Sequence, residues 1–211
     1  MTKNPYPGRF IVFEGLDGAG TTTQADLLLK YLRGKNIKAH LTREPTQYLV
    51  GGLIRSWLAG DWRSTPECLQ LLFTADRAYH LDKEVIPLLK KGITVICDRY
   101  FFSTVAYGGL EIKDENWLTD LNKRFILPDL TIILKVRPEE CLRRIKSGRF
   151  SVELFENKRK LEKVWQNYSK VAKNFRNIKI LDGEKDIHQI SEKIKELIEL
   201  RNVMGNNISK S

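Results

Sequence analysis

Two short stretches of this sequence carry residues suited to phosphate chemistry. The first is Phe13-Glu14-Gly15-Leu16-Asp17-Gly18-Ala19-Gly20-Thr21-Thr22-Thr23, between an apolar run and a helical pattern that starts around Gln24. Glycines spaced like Gly15 and Gly20 let backbone N–H groups turn inward around phosphate oxygens at a helix N-terminus. Thr22 falls where a hydroxyl normally binds Mg2+, and Leu16, Asp17, Gly18, Ala19 and Thr21 complete the cradle. Loops of this kind carry lysine just before that hydroxyl; here the residue is Thr21. Lysine there adds a full positive charge beside the β- and γ-phosphates, and stabilising charge is most of what phosphoryl-transfer enzymes do. The exchange leaves three readings: a site in which other cations replace the lysine, a site that binds nucleotide without turnover, and a plain glycine-rich turn.

The second stretch is Val95-Ile96-Cys97-Asp98-Arg99-Tyr100, an apolar run that delivers a carboxylate and a guanidinium to one strand end. In doubly wound sheets ligands bind at the C-terminal ends of the strands. Asp98 is suited to orient Mg2+ or its waters, and Arg99 to bridge a phosphoryl group in transfer. The alternative is a surface ion pair between the two.

The elements that must position these residues follow from the patterning. Short β-branched runs alternate with helical patterns, the signal of a mostly parallel sheet covered by helices, hence an α/β fold. Strands are expected at Arg9–Glu14, Lys38–Thr42, Thr94–Asp98, Leu130–Val136 and Ile178–Leu181. Leu161, Val164, Trp165, Tyr168, Val171 and Phe175 recur in steps of three and four and form one apolar helical face, read as core packing. No repeat or linker divides the chain, so residues 1–201 are read as one domain, with a lid at about 143–157 hinged near Gly148 and a flexible tail at 202–211.

The 211 residues, 42% of them hydrophobic, suffice for a sizeable core. No apolar run approaches the roughly 18 residues of a membrane span, so no membrane partner is expected. Cys68, Cys97 and Cys141 form neither a disulfide framework nor a zinc pattern, which suits a reducing cytoplasmic setting. The net charge of +10 concentrates in residues 135–180, with 14 Lys/Arg against 5 Asp/Glu. That segment suits nucleotide phosphates or a solvated helix face; its aromatics follow the core stripe, so no nucleic-acid role is expected.

Phe13-Glu14-Gly15-Leu16-Asp17-Gly18-Ala19-Gly20, Thr42-Arg43-Glu44-Pro45, Leu72-Phe73-Thr74-Ala75-Asp76-Arg77 and Asp98-Arg99-Tyr100 with Ser103, Ala106 and Tyr107 occur in this order. In order and spacing the chain resembles the thymidylate kinases, from Arg9 to about Ile190. The resemblance implies a P-loop NTPase fold, a parallel sheet of about five strands with helices on both faces and a small lid. It implies transfer of a phosphoryl group from ATP, with Mg2+, to dTMP, and a homodimer, for which the stretch from Leu53 to Leu89 has the apolar residues. Carried over by position, Arg43 holds the dTMP phosphate, Phe73 stacks on thymine, and Arg77 bonds the base. Asp17 lies near the acceptor phosphate, Arg99 beside the transfer path, Tyr107 against the sugar, and Ser103 and Thr104 toward the base edge. Mg2+ falls to Thr22 and Asp98.

Two features depart from the pattern. Family members often carry glutamine after the aromatic residue, where this chain has Gly108. The Asp-Arg pair of many lids is absent from Arg143-Arg144-Ile145-Lys146-Ser147-Gly148-Arg149-Phe150. Arg144 is expected to stack on adenine near Asp182 and Gly183, and Lys146 or Arg149 to join Arg99 in supplying the charge Thr21 lacks. The altered features keep open a nucleoside-monophosphate kinase of relaxed specificity and a catalytically impaired nucleotide sensor.

Overall fold

The computed structural model describes residues 1–148 and 158–200. The chain opens with β1 (Thr2–Lys3), β2 (Phe10–Gly15), α1 (Thr21–Gly34), β3 (Ala39–Arg43), α2 (Leu49–Ala59) and α3 (Pro66–His80). A π-helical turn at Leu81–Val85 leads into α4 (Ile86–Lys90), β4 (Thr94–Asp98), α5 (Phe101–Gly108), α6 (Glu115–Leu121), β5 (Ile126–Leu127) and β6 (Leu130–Lys135). Then follow α7 (Pro138–Gly148), α8 (Lys158–Lys173), β7 (Ile178–Asp182) and α9 (Ile187–Leu200).

Five strands form a parallel sheet in the order β3-β4-β2-β6-β7, and β1 pairs with β5 in a separate parallel ribbon. Every residue of β2 and β4 is buried, which explains why both read as unbroken apolar runs: a parallel sheet flanked by helices has no solvated face. The five expected strands all form, each end within a residue of its expected place. Register brings their functional ends level, with Asp98 opposite both Phe13 and Arg43. The order of connections reverses around β2, so the crevice opens where β2, β3 and β4 end.

Helix α1 begins at Thr21, three residues before the expected Gln24, because Gly20 closes the loop in the left-handed region at φ 92°. Helix α3 starts with Thr65, whose hydroxyl accepts from the Cys68 N–H, followed by Pro66 at the first helical position. Glu14 caps α5 from another element: its carboxylate accepts from the backbone N–H groups of Tyr100 (2.8 Å) and Ser103 (3.3 Å). The stripe on α8 packs into the core as expected, with Leu161, Val164 and Tyr168 buried and Lys158, Arg159, Lys163 and Lys170 outside. The hinge near Gly148 is continuous helix up to that residue, and the rest of the expected lid, 149–157, lies outside the described residues, as does the tail at 202–211.

Candidate active site

A cleft of about 490 Å³ opens at the strand ends, walled by the phosphate loop, the Arg43-Glu44-Pro45 turn, α3 and α5. The loop keeps its shape through Gly18, at φ 82°, and Gly20. A Cβ on Gly18 would lie 2.6 Å from the Cys141 carbonyl and 3.0 Å from the Ile145 Cγ1, so α7 rests directly on the loop. Leu16 and Ala19 are buried and anchor the loop, while no side chain caps the α1 N-terminus at Gly20, leaving its amides directed at the cleft. Thr21 lines the cleft with 6% of its surface exposed. The Thr22 hydroxyl donates to Asp98 Oδ2 at 2.5 Å, while the buried Asp98 Oδ1 has no partner among the described residues. An unpaired carboxylate oxygen beside a hydroxyl is a donor set that suits a hard divalent cation.

Arg99 pairs with Asp17 (2.5 Å), and not with its neighbour Asp98, which disposes of the surface-pair reading. Its backbone sits in the left-handed region at φ 73°, a conformation that costs a non-glycine residue on the order of 1 kcal/mol and is held here by its N–H bond to the Phe13 carbonyl (2.9 Å). The guanidinium also donates to the Gly15 carbonyl (3.0 Å), Ser103 Oγ (3.1 Å) and Tyr168 Oη (3.4 Å), and lies over the Tyr107 ring. Beneath it, Glu14 accepts from the hydroxyls of Ser103 (2.5 Å) and Tyr168 (2.8 Å). Burial pushes the Glu14 carboxyl up to about 7, against the lowering effects of Arg99 and these hydrogen bonds. Ser103 therefore gives its hydroxyl to this buried node, where the sequence reading turned it toward a base. Glu14 and Tyr168 escaped that reading, one as a motif letter and the other as a core stripe residue. The available signal was polarity: a carboxylate ending an apolar strand, and a phenol in a core stripe, each need a partner.

Across the cleft, Arg43 is exposed and its side chain makes no hydrogen bond or ion pair to a described residue, so its charge is available. Its turn is tied down by Asp76, which accepts from the Thr46 N–H (2.8 Å) and hydroxyl (2.6 Å). Arg77 is 1% exposed. It forms an ion pair with Glu44 (2.7 Å) and donates to Asn122 (2.6 Å) and Thr104 (3.0 Å). Both Arg77 and Thr104 thus line the cleft with their polar groups largely engaged by each other and by Glu44 and Asn122, a commitment the spacing of α3 could not reveal. Phe73 lies between them and the α2 cluster of Ile54 and Trp57, and Tyr107 Oη bonds both the Asp17 amide (3.0 Å) and its carboxylate (3.1 Å).

Arg144 reaches the opposite end of the cleft, donating to the carbonyls of Ala19 (3.4 Å) and Gly183 (3.1 Å) and to Glu140 (2.8 Å). This joins α7 to the phosphate loop and to the turn after β7. Asp182 faces away: its carboxylate accepts from the Glu184 N–H (3.0 Å), and it lines a separate shallow cavity. Lys146 belongs to α7, but its side chain is outside the described residues, as is all of Arg149. Among the described residues no three His, Cys, Asp or Glu side chains gather as a metal cluster, so a cation at Thr22 and Asp98 would share its shell with phosphate and water.

Comparison with known proteins supplies the remaining observations. The thymidylate kinase family matches residues 13–194. The chain is 40% identical over 197 residues to a probable thymidylate kinase of Pyrococcus horikoshii, covering 90% of this chain and 96% of that protein. It is 37% identical over 206 residues to one from Thermococcus gammatolerans, covering 94% and 99% respectively. Among solved structures it is similar to a thymidylate kinase from Candida albicans described as having broad substrate specificity, with a TM-score of 0.79, 28% identity and 93% of each chain covered.

Proposed function

This chain belongs to the thymidylate kinase family, and we propose that the cleft described above is where it transfers the γ-phosphoryl group of ATP to dTMP, giving dTDP and ADP. The observation that carries the assignment of roles is the single cleft into which the phosphate loop, Arg43, Phe73, Asp98, Arg99 and Tyr107 all converge. ATP phosphates lie against the loop amides, with Arg144 flanking the adenine near Gly183. The dTMP phosphate meets Arg43, and its base lies against Phe73. An oxygen of that phosphate attacks the γ-phosphorus in line while the bond to the β-phosphate oxygen breaks, so no covalent enzyme intermediate forms.

Phosphoryl transfer in this family generally needs a divalent metal; Mg2+ fits the Thr22 hydroxyl and the unpaired Asp98 oxygen. When bound it would neutralise charge on the β- and γ-phosphates. Arg99 exchanges its Asp17 partner for phosphate oxygens, and Asp17 is then free to accept from the acceptor nucleotide. With threonine at position 21, Arg99 carries charge that the loop lysine would otherwise supply, together with Lys146 or Arg149.

No described helix is long and apolar enough to cross a membrane. The three cysteines are free, in keeping with a reducing cytoplasm. Leu49, Leu53 and Leu71, respectively 82%, 44% and 50% exposed on α2 and α3, form the face we assign to a homodimer.

A coupled ADP-release assay with ATP and Mg2+ tests the reading, comparing dTMP with dUMP, dCMP and GMP. Preferential turnover of dTMP is expected, and Thr21→Lys is expected to bring little gain because the site is built around threonine. Similar turnover of several acceptors would favour the relaxed-specificity reading, which the engaged donors of Arg77 support. An inactive wild type rescued by Thr21→Lys would overturn the proposal.

A further inference from the structure

Helices α3 and α5 run past each other at the base end of the cleft, where Arg77 meets Thr104 and, two turns earlier on α3, Gln70 meets Gly108. Gln70 is 5% exposed and lines the cleft with Phe73 and Arg77, its companions on one face of α3. Its side chain makes no hydrogen bond to a described residue, and its buried Oε1 is unpaired. The amide fits there because position 108 has no side chain: a Cβ on Gly108 would lie 3.0 Å from the Gln70 Cδ and 3.1 Å from its Oε1. A buried, unpaired amide oxygen is unfavourable in a core and rare without a reason. Its neighbour Arg77 donates to Glu44, Asn122 and Thr104, whereas the Gln70 amide has no partner among the described residues.

Resting on the assignment of this end of the cleft to the acceptor base, we propose that Gln70 reads the edge of the pyrimidine, its Oε1 accepting from the ring N3–H and its amide N–H donating to a flanking carbonyl. Thymine and uracil present that alternation of donor and acceptors. Gly108 makes the space, Phe73 fixes the plane of the ring, and Gln70 supplies an unpaired amide beside Arg77, most of whose donors are engaged by Glu44, Asn122 and Thr104. Gln70 is therefore a specificity-determining residue, in contact with the base and remote from the transferring phosphoryl group.

The test compares dTMP with its N3-methyl derivative in the wild type and in Gln70→Leu, which keeps the side chain's bulk. Gln70→Leu should raise the KM for dTMP roughly 10-fold to 100-fold, the usual loss when a buried group no longer pairs with substrate. The KM for ATP should be unchanged, and the penalty for N3-methylation should shrink relative to wild type. Gly108→Ala, which displaces the amide without removing it, should act in the same direction and serves if Gln70→Leu does not fold. An unchanged KM for dTMP, or an equal N3-methyl penalty in wild type and variant, overturns the inference and leaves the kinase reading intact. A wild type that does not turn over dTMP overturns that reading and the inference with it.

Discussion

Arg77 and Arg99 are both arginines beside one cleft, and the fold uses them in opposite ways. Arg77 lies on a regular helix, 1% exposed, bonded to Glu44, Asn122 and Thr104 and set over the Tyr100 ring. Arg99 sits at a left-handed turn, with 18% of its side chain exposed and Asp17, itself in the cleft wall, as its carboxylate partner. The first charge is neutralised within the architecture by a buried carboxylate, with most of its donors engaged there. The second is held in place but can change partner. Function follows from how a charge is satisfied, beyond the residue type that carries it.

The contrast predicts which measurement each substitution moves. Arg77→Met removes the buried guanidinium from Glu44 and leaves that carboxylate, among the described residues, only its contact with His80 Nδ1 (3.1 Å), which should destabilise the fold by about 3–5 kcal/mol. Thermal unfolding should show that as a fall on the order of 10 °C in Tm for a chain of this size. A Tm within about 2 °C of wild type would make Arg77 a binding group like Arg99. Arg99→Gly removes the guanidinium and relieves the left-handed backbone, so kcat should drop by about 10²–10³, the worth of one strong charge contact in a transition state. Its Tm should fall much less than that of Arg77→Met; an equal fall would place both arginines in the same structural role.

The node beneath Arg99 gives the smallest effect, and it depends on pH. Folding raises the Glu14 carboxyl from its ordinary 4.5 to about 7, so the native state holds a proton that the unfolded state has released. Stability therefore falls as pH rises through that window, by about 3 kcal/mol across the whole of it. Glu14→Gln is neutral throughout and should flatten this slope, measured as Tm between pH 4.5 and 7. A parallel slope in wild type and variant would show that another group carries the proton.

Much of this was legible in the sequence because it is local. The period of each strand, the glycine spacing of the phosphate loop and the Asp98-Arg99 strand end are facts about neighbours along the chain, and the five strands formed where the pattern put them. What escaped depends on partners distant in the chain. Glu14 meets Tyr168 across 154 positions, so neither residue's local pattern hints at a buried carboxylate under Arg99. Arg77 is placed correctly on its helix face, yet nothing within a few turns says that Glu44 and Asn122 will occupy its donors. Gly108 reads as a missing side chain, whereas α3 fills the gap with Gln70. The early start of α1 is different in kind: it turned on the backbone angle of one glycine.

The contact between Gly18 and α7 has a geometric consequence. The helix touches the loop at two places one turn apart, Cys141 and Ile145, and two points define a line. The phosphate loop thereby fixes the direction of the α7 axis as well as its position. The direction in which α7 runs to its end at Gly148 is set by the same loop that walls the cleft. A bulkier residue at position 18 would act first as a misalignment, swinging the far end of the helix off its heading.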